Sequence, residues 1–430
     1  MGIYDRVFSA KHAFAGMATT TLLVALSACG GTAPAAPASA SLAAVASQPA
    51  SAAASPPAAS GGASAKPAAS GAASAKPAAS ASANPIGNAP LAGGSAGPAA
   101  AGQFTDGNPY LAKPGEAPVT VKGGWCAISA GFTQLYVARD YGFFAKYGIN
   151  IQTGGMNSGA DAALAALNRG DFDFMYCAAA ATIPGLAAGV PDTLVAAPLV
   201  GLPYQMVGGK NIHSVQDLKG KKLGINAPGD LDEQLSRAVL KQEHIPANQV
   251  TFVPAGGQTQ RYTNLLAGVI DSVNVTPPLE VQAQHDGLNI IYQLKTLPIP
   301  FIYSAMHTND NMLKQHPQTV QRFLAAIAES TWWMQSHKQE TEQSISKQLD
   351  ITDSAALDSA YSAYSKDYAN PSIDVPMKAV QDSIDYAKTQ GTPIQKSQAD
   401  QIVDQRFVQD LQASGFLEKM WGKKIPPSNP

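Results

Sequence analysis

Hydrophobic and polar positions follow a regular beat from Pro118 onward: short apolar runs alternate with segments whose apolar residues recur at helical spacing. Val119 to Trp125 predicts a buried strand. Ala130 to Tyr147 predicts a helix interrupted at Gly142 and stopped at Gly148. Ile149 to Thr153 is strand, and Ser158 caps a second helix with Asp161 as its capping-box partner. Asp173 to Cys177 is strand, Ala178 to Ala188 helix and Thr193 to Ala197 strand. A second series repeats the alternation: strands at 223–226, 250–254, 272–276 and 290–293, helices at 231–243, 259–267 and 279–285. After a strand at 301–306 the spacing is almost wholly helical. Alternating β and α at these intervals predicts parallel sheets wrapped by helices. Two such series predict two lobes, with the C-terminal helices packed back on the first.

The first hundred residues do not share this beat. Arg6, Lys11 and His12 precede an apolar run from Ala13 to Ala25, and then Leu26-Ser27-Ala28-Cys29-Gly30. A short apolar region ending in small residues is a secretory signal and not a membrane span. Its ending resembles the bacterial lipobox, which implies cleavage before Cys29 and diacylation of its thiol. An ordinary secreted protein cut near Ala28 is the alternative. Two acyl chains hold a protein stably at a bilayer where one is marginal. From Gly30 to about Gly102 the chain is almost entirely Ala, Ser, Pro and Gly. Such a segment lacks the large apolar groups that offset ordering entropy, so it reads as a disordered tether. Treated as a flexible coil, it reaches roughly 45 Å.

Composition narrows the function classes. Lys+Arg 29 against Asp+Glu 31 gives a net charge of −2, with no basic cluster of the kind nucleic acid requires. With Cys29 lipidated, Cys126 and Cys177 remain. Their predicted places at neighbouring strand ends make a disulfide conceivable, but two buried free thiols are the expected state. No Cys or His spacing points to a metal, and no nucleophile or phosphate motif appears in the body. Neither a catalytic residue nor a cofactor is therefore expected.

Four blocks carry a family resemblance. Leu135-Tyr-Val-Ala-Arg-Asp-Tyr-Gly-Phe-Phe-Ala-Lys-Tyr-Gly-Ile149, the segment 159–174, Asp217-Leu-Lys-Gly-Lys-Lys-Leu-Gly-Ile225 and Leu265-Leu-Ala-Gly-Val-Ile-Asp271 occur in family order. Together they resemble the nitrate, sulfonate and thiamine-pyrimidine-precursor binding proteins of ABC importers. The resemblance implies an α/β, two-lobed type II periplasmic-binding-protein fold. Each lobe is then a doubly wound, mainly parallel sheet, and crossovers lie near Leu199–Tyr204 and Leu297–Tyr303. The implied organisation is signal peptide 1–28, tether 29–117, lobe 1 at 118–203 and 300–430, and lobe 2 at 204–299.

In such sheets ligands bind beyond the carboxyl ends of strands, near helix N-termini. By position this selects Trp125, Ser129, Phe132, Asn157, Ser158, Tyr176 and Cys177 in lobe 1. It also selects Tyr204 at the first crossover and Asn226, Asp230, Asp232 and Thr276 in lobe 2. Trp125 offers a flat face, or else is a core residue under the sheet end. Asp230, three residues before Glu233, fits a helix cap. Asp230 and Asp232 would also repel an anion, which favours a neutral or cationic heteroaromatic ligand over nitrate or a sulfonate. The expected protein is a monomeric lipoprotein on the outer side of the cell membrane, serving an ABC permease. A ligand-presenting adaptor for a receptor would use the same parts. The fold also serves a pyrimidine-synthesising enzyme, for which the body shows no catalytic motif.

Overall fold

A computed structural model describes residues 92–93, 103–156 and 159–428. The signal peptide, Cys29, nearly all of the tether, Asn157 and Ser158 lie outside the described residues. Ten strands, β1 Val119–Trp125, β2 Ile149–Gly155, β3 Phe174–Ala178, β4 Thr193–Val200, β5 Gln205–Gly208, β6 Lys222–Ile225, β7 Thr251–Pro254, β8 Ser272–Val275, β9 Asn289–Gln293 and β10 Ile302–Thr308, form two sheets. The first has the order β2-β1-β3-β10-β4, with the short segment Ala92–Gly93 antiparallel on the β2 edge. The second has the order β9-β5-β8-β6-β7.

Each sheet follows one rule. β1 pairs in parallel with β2 and β3, and β6 with β7 and β8. The strand that arrives from the other lobe runs the opposite way: β10 is antiparallel to β3 and β4, and β5 to β8 and β9. Among the described residues, the chain crosses between lobes through residues 201–204 and 294–301. This is the type II periplasmic-binding-protein architecture, with mainly parallel sheets. β5 is the strand that hydrophobic periodicity does not reveal, because four residues are too few to show alternation.

Both faces of each sheet are covered. In lobe 1, Phe143, Phe144, Phe174 and Phe323 lie in one core, and Ile183, Leu186, Leu194 and Ile384 in another. The helix Pro317–Trp333 brings Phe323 flat against Phe174 at 3.8 Å. Burying an aromatic side chain stabilises by roughly 2–3 kcal/mol, so such stacks anchor the C-terminal helices to lobe 1. The helix Met377–Thr389 packs on Ala179–Ala187 on the other face. One C-terminal helix, Ser354–Tyr361, instead meets the lobe 2 helix Leu279–His285.

Two expectations need correction. Residues 103–117, expected to belong to the tether, pack on lobe 1. Phe104, Tyr110 and Leu111 supply apolar groups that the Ala/Ser/Pro stretch lacks, and they join the first core. The Asn108 side chain donates to Tyr147 Oη at 2.9 Å, and that hydroxyl donates to buried Glu329 at 2.7 Å. Lys146 completes the cluster with an ion pair to Glu329 at 2.6 Å. Secondly, Cys126 and Cys177 are not free thiols but a disulfide, with Cα atoms 5.2 Å apart. The cause is register: β1 and β3 pair Trp125 with Tyr176, so the next residues are neighbours at the same sheet end. The bridge closes a loop with a sequence separation of 51. Loop-closure entropy then predicts that reduction, or Cys126→Ser with Cys177→Ser, lowers stability by ~4 kcal/mol. Urea unfolding with and without reductant measures this, and coincident curves would contradict it.

Candidate functional site

The carboxyl ends of β1 and β3 in lobe 1 and of β6 and β8 in lobe 2 lead into the loops that hold the predicted residues. The first test of such a loop is whether its backbone N–H groups are free. At the lobe 2 helix Leu231–Gln242 three of them are not. Asp230 is the N-cap, and its carboxylate accepts from Glu233 N at 3.0 Å and Ala227 N at 3.1 Å. Glu233 in turn accepts from Gly229 N at 2.7 Å. Thr276 N and its hydroxyl both donate to Gln258 Oε1 at 3.2 Å. In lobe 1, Ser129 Oγ accepts from Gly131 N at 3.1 Å. These loops thus use part of their own donor set, while the helix that follows Gly257 has no side-chain cap.

Asp232 stands differently. It pairs with Arg261 at 2.9 Å, and Arg261 also donates to Gly256 O at 2.8 Å. Burial raises the Asp232 carboxyl to about 6, against the pull of Arg261 and with a push from Asp230. Its Oδ1 and the Arg261 Nε have no hydrogen-bond partner, and neither has Asn274 Oδ1 beside them. Arg261 is a residue that sequence reasoning missed, because one arginine on a polar helix face carries no signal of burial.

Aromatic residues from three separated stretches meet here. The Tyr204 and Tyr303 rings pack edge to face at 6.0 Å, and Tyr303 stacks on Tyr364 at 5.7 Å. Gly131 must lack a side chain, since a Cβ there would lie 2.4 Å from the Tyr303 ring. Tyr364 Oη bridges the lobes by donating to Pro277 O at 3.0 Å. Beside it Ser359 donates to Glu280, so the two lobes touch along this line. Burial holds the Tyr204 and Tyr364 hydroxyls well above the usual phenol range, so both stay protonated. Tyr303 and Tyr364 were not picked out because they lie on no strand-to-helix loop.

The remaining predicted residues divide by exposure. Phe132, Tyr176 and Cys177 are 4%, 0% and 0% exposed, and their places correct the expectation that they face a ligand. Tyr176 packs against Phe132 at 5.0 Å, its hydroxyl donates to Gln134 at 3.1 Å, and Cys177 is spent in the disulfide. Trp125 is the core residue of its two readings: 6% exposed, edge-on to Tyr136 at 5.2 Å. The second helix begins after Gly159, and its expected cap Ser158 is outside the described residues. Asn226 is exposed, Ser129 half-buried and Thr276 nearly buried. Among the described residues no cluster of His, Cys, Asp and Glu is placed to hold a metal.

Comparison with known proteins agrees with this architecture. The family model described as NMT1/THI5 like matches residues 129–341, a span that takes in the strand-end loops of both lobes and both crossovers. Over residues 129–341 the chain is similar to that family. Its fold is similar to that of the alkanesulfonate-binding protein SsuA from Xanthomonas axonopodis pv. citri, at 15% identity. That likeness has a TM-score of 0.54 and covers 67% of this chain and 99% of that one. The nitrate-binding protein NrtA from Synechocystis PCC 6803 is similar at 17% identity and TM-score 0.55, over 73% of this chain and 93% of its own. A Brucella abortus protein named only as a binding protein is 25% identical over 234 residues, 52% of this chain and 68% of that protein.

The Asp232–Arg261 pair generates a prediction with a sign. A carboxyl raised by the fold contributes stability below its usual value near 3.9, and that contribution is lost as pH rises through about 6. Arg261→Met removes the compensating cation and leaves a buried charge. It should cost ~3–5 kcal/mol at pH 8, and less at pH 5 where Asp232 takes up a proton. Denaturant midpoints at the two pH values measure this, and a loss independent of pH would contradict it.

Proposed function

We propose that the protein is an extracytoplasmic lipoprotein, anchored through diacylated Cys29, that captures a small molecule between its lobes for the permease of an ABC importer. The ligand in this reading is neutral or cationic and heteroaromatic, of the pyrimidine kind. The observation that carries the ligand class is the buried Asp232 carboxyl near the Tyr204 and Tyr303 rings. Nitrate and sulfonates are recognised by N–H groups, and at the Asp230 helix those of Ala227, Gly229 and Glu233 are already bonded to Asp230 and Glu233. What remains between the lobes is aromatic surface from Tyr204 and Tyr303, protonated phenol, and the buried Asp232 carboxyl. These groups suit a flat ring with hydrogen-bonding edges. Two covalent crossovers support capture by hinge closure, in which the ligand stabilises the closed arrangement by contacts to both lobes.

A thermal-shift panel of aminopyrimidines, aromatic amines, nitrate and alkanesulfonates tests the ligand class. We expect stabilisation by a member of the first two groups, with compaction in small-angle scattering and at least a tenfold loss of affinity in Tyr303→Ala. Stabilisation by nitrate or a sulfonate would overturn the class, and ligand binding without compaction would overturn hinge closure. If the ligand is cationic, its affinity should also rise from pH 5 to pH 7 as Asp232 ionises, since that carboxyl is held at about 6. Asp232→Asn should flatten the profile in titration calorimetry.

A further inference from the structure

A second crevice lies where the two crossovers run beside lobe 1. A cavity of about 400 Å³ is lined by Leu202 from the first crossover, by Leu297 and Ile299 from the second, and by Asp367 and Tyr368. A smaller cavity of about 150 Å³ adjoins it and shares Lys295, Asp367 and Tyr368. The two ends differ in chemistry. Leu202 and Leu297 are 2% and 7% exposed, so they form an apolar floor. Lys295 and Asp367 are exposed and of opposite charge. Among the described residues, neither has a hydrogen-bond or ion-pair partner.

The backbone around the crevice is built in an uncommon way. Residues 362–367 form a π-helical turn, a geometry that recurs at functional sites because one extra residue re-aims its neighbours. That turn delivers Asp367 and Tyr368 to the cavity wall. Val200 N donates to Tyr368 O at 2.9 Å, which ties the turn to the end of β4. Gly201 has φ +96°, and a Cβ there would lie 3.0 Å from the Tyr368 ring, so the ring sits directly on the crossover backbone.

We propose that this crevice is a binding site for an α-amino acid with an apolar side chain, distinct from the cleft between the strand-end loops. The ligand carboxylate pairs with Lys295, its ammonium with Asp367, and its side chain lies on Leu202, Leu297 and Ile299. Exposed ion pairs contribute little by themselves, so the apolar floor selects the class and excludes small polar zwitterions such as glycine.

Titration calorimetry of L-leucine and L-phenylalanine into the full-length chain in detergent tests the site. The expected result is one saturable site for at least one of the two, with glycine failing to compete and leucine methyl ester and N-acetyl-leucine competing more weakly than leucine. Lys295→Ala and Asp367→Asn should each weaken binding about threefold without moving the melting temperature, since both side chains are exposed. Tyr303→Ala, which alters the cleft, should leave this binding intact. Absence of saturable binding by both amino acids would overturn the site. So would binding that neither charge substitution weakens, or that disappears in Tyr303→Ala, which would place the amino acid in the cleft.

Discussion

β10 is inserted into the middle of the first sheet, bonded on one side to β3 and on the other to β4. An interior strand exchanges its backbone hydrogen bonds along both edges, and a buried N–H or C=O left without one is costly. Ser304, His307 and Thr308 on this strand are all fully buried, so its polar side chains must also be satisfied. Ser304 donates to Gly131 O, Thr308 donates to Asp173 O, and the His307 ring bonds Thr182 Oγ1 at 2.9 Å. β3 and β4 have no direct pairing in that sheet, so lobe 1 exists as one layer only when β10 is present. The second crossover is therefore a condition of the first lobe and not merely a link to it. The tyrosine contacts between lobes depend on it too, because Tyr303 is a residue of β10.

Most of the fold is legible in the chain because its cause is local. The helices Leu279–His285 and Met377–Thr389 stand where apolar spacing and flanking residues place them. The strands 149–155 and 272–275 follow from runs of β-branched and apolar residues between glycine stops. What escapes such reading is set at a distance. β5 has a place only because β8 and β9 flank it. Residues 103–117 look like tether by neighbourhood, but their few large side chains find a core and the buried Glu329. The π-helical turn at 362–367 has no signature in spacing at all.

The candidate site is legible in position and illegible in detail, for the same reason. The rule that ligands lie beyond strand ends located the loops, and Asp230 is the helix cap that its spacing to Glu233 indicates. Whether a side chain at a strand end points to solvent or beneath the neighbouring helix depends on packing, and Phe132, Tyr176 and Cys177 went under. The electrostatic reading changed most. Two adjacent aspartates suggest a negative helix end, but Asp232 is paired with Arg261, which lies 29 positions further on.

The central place of β10 also has a consequence for the order in which the chain is made. A growing polypeptide emerges from its amino end, so β1 to β4 appear long before residue 302. During that interval β3 and β4 cannot join into one layer, and the apolar faces they will share remain uncovered. The last strand of the first lobe is withheld by topology until the whole second lobe has been synthesised, so lobe 1 cannot close before lobe 2 exists.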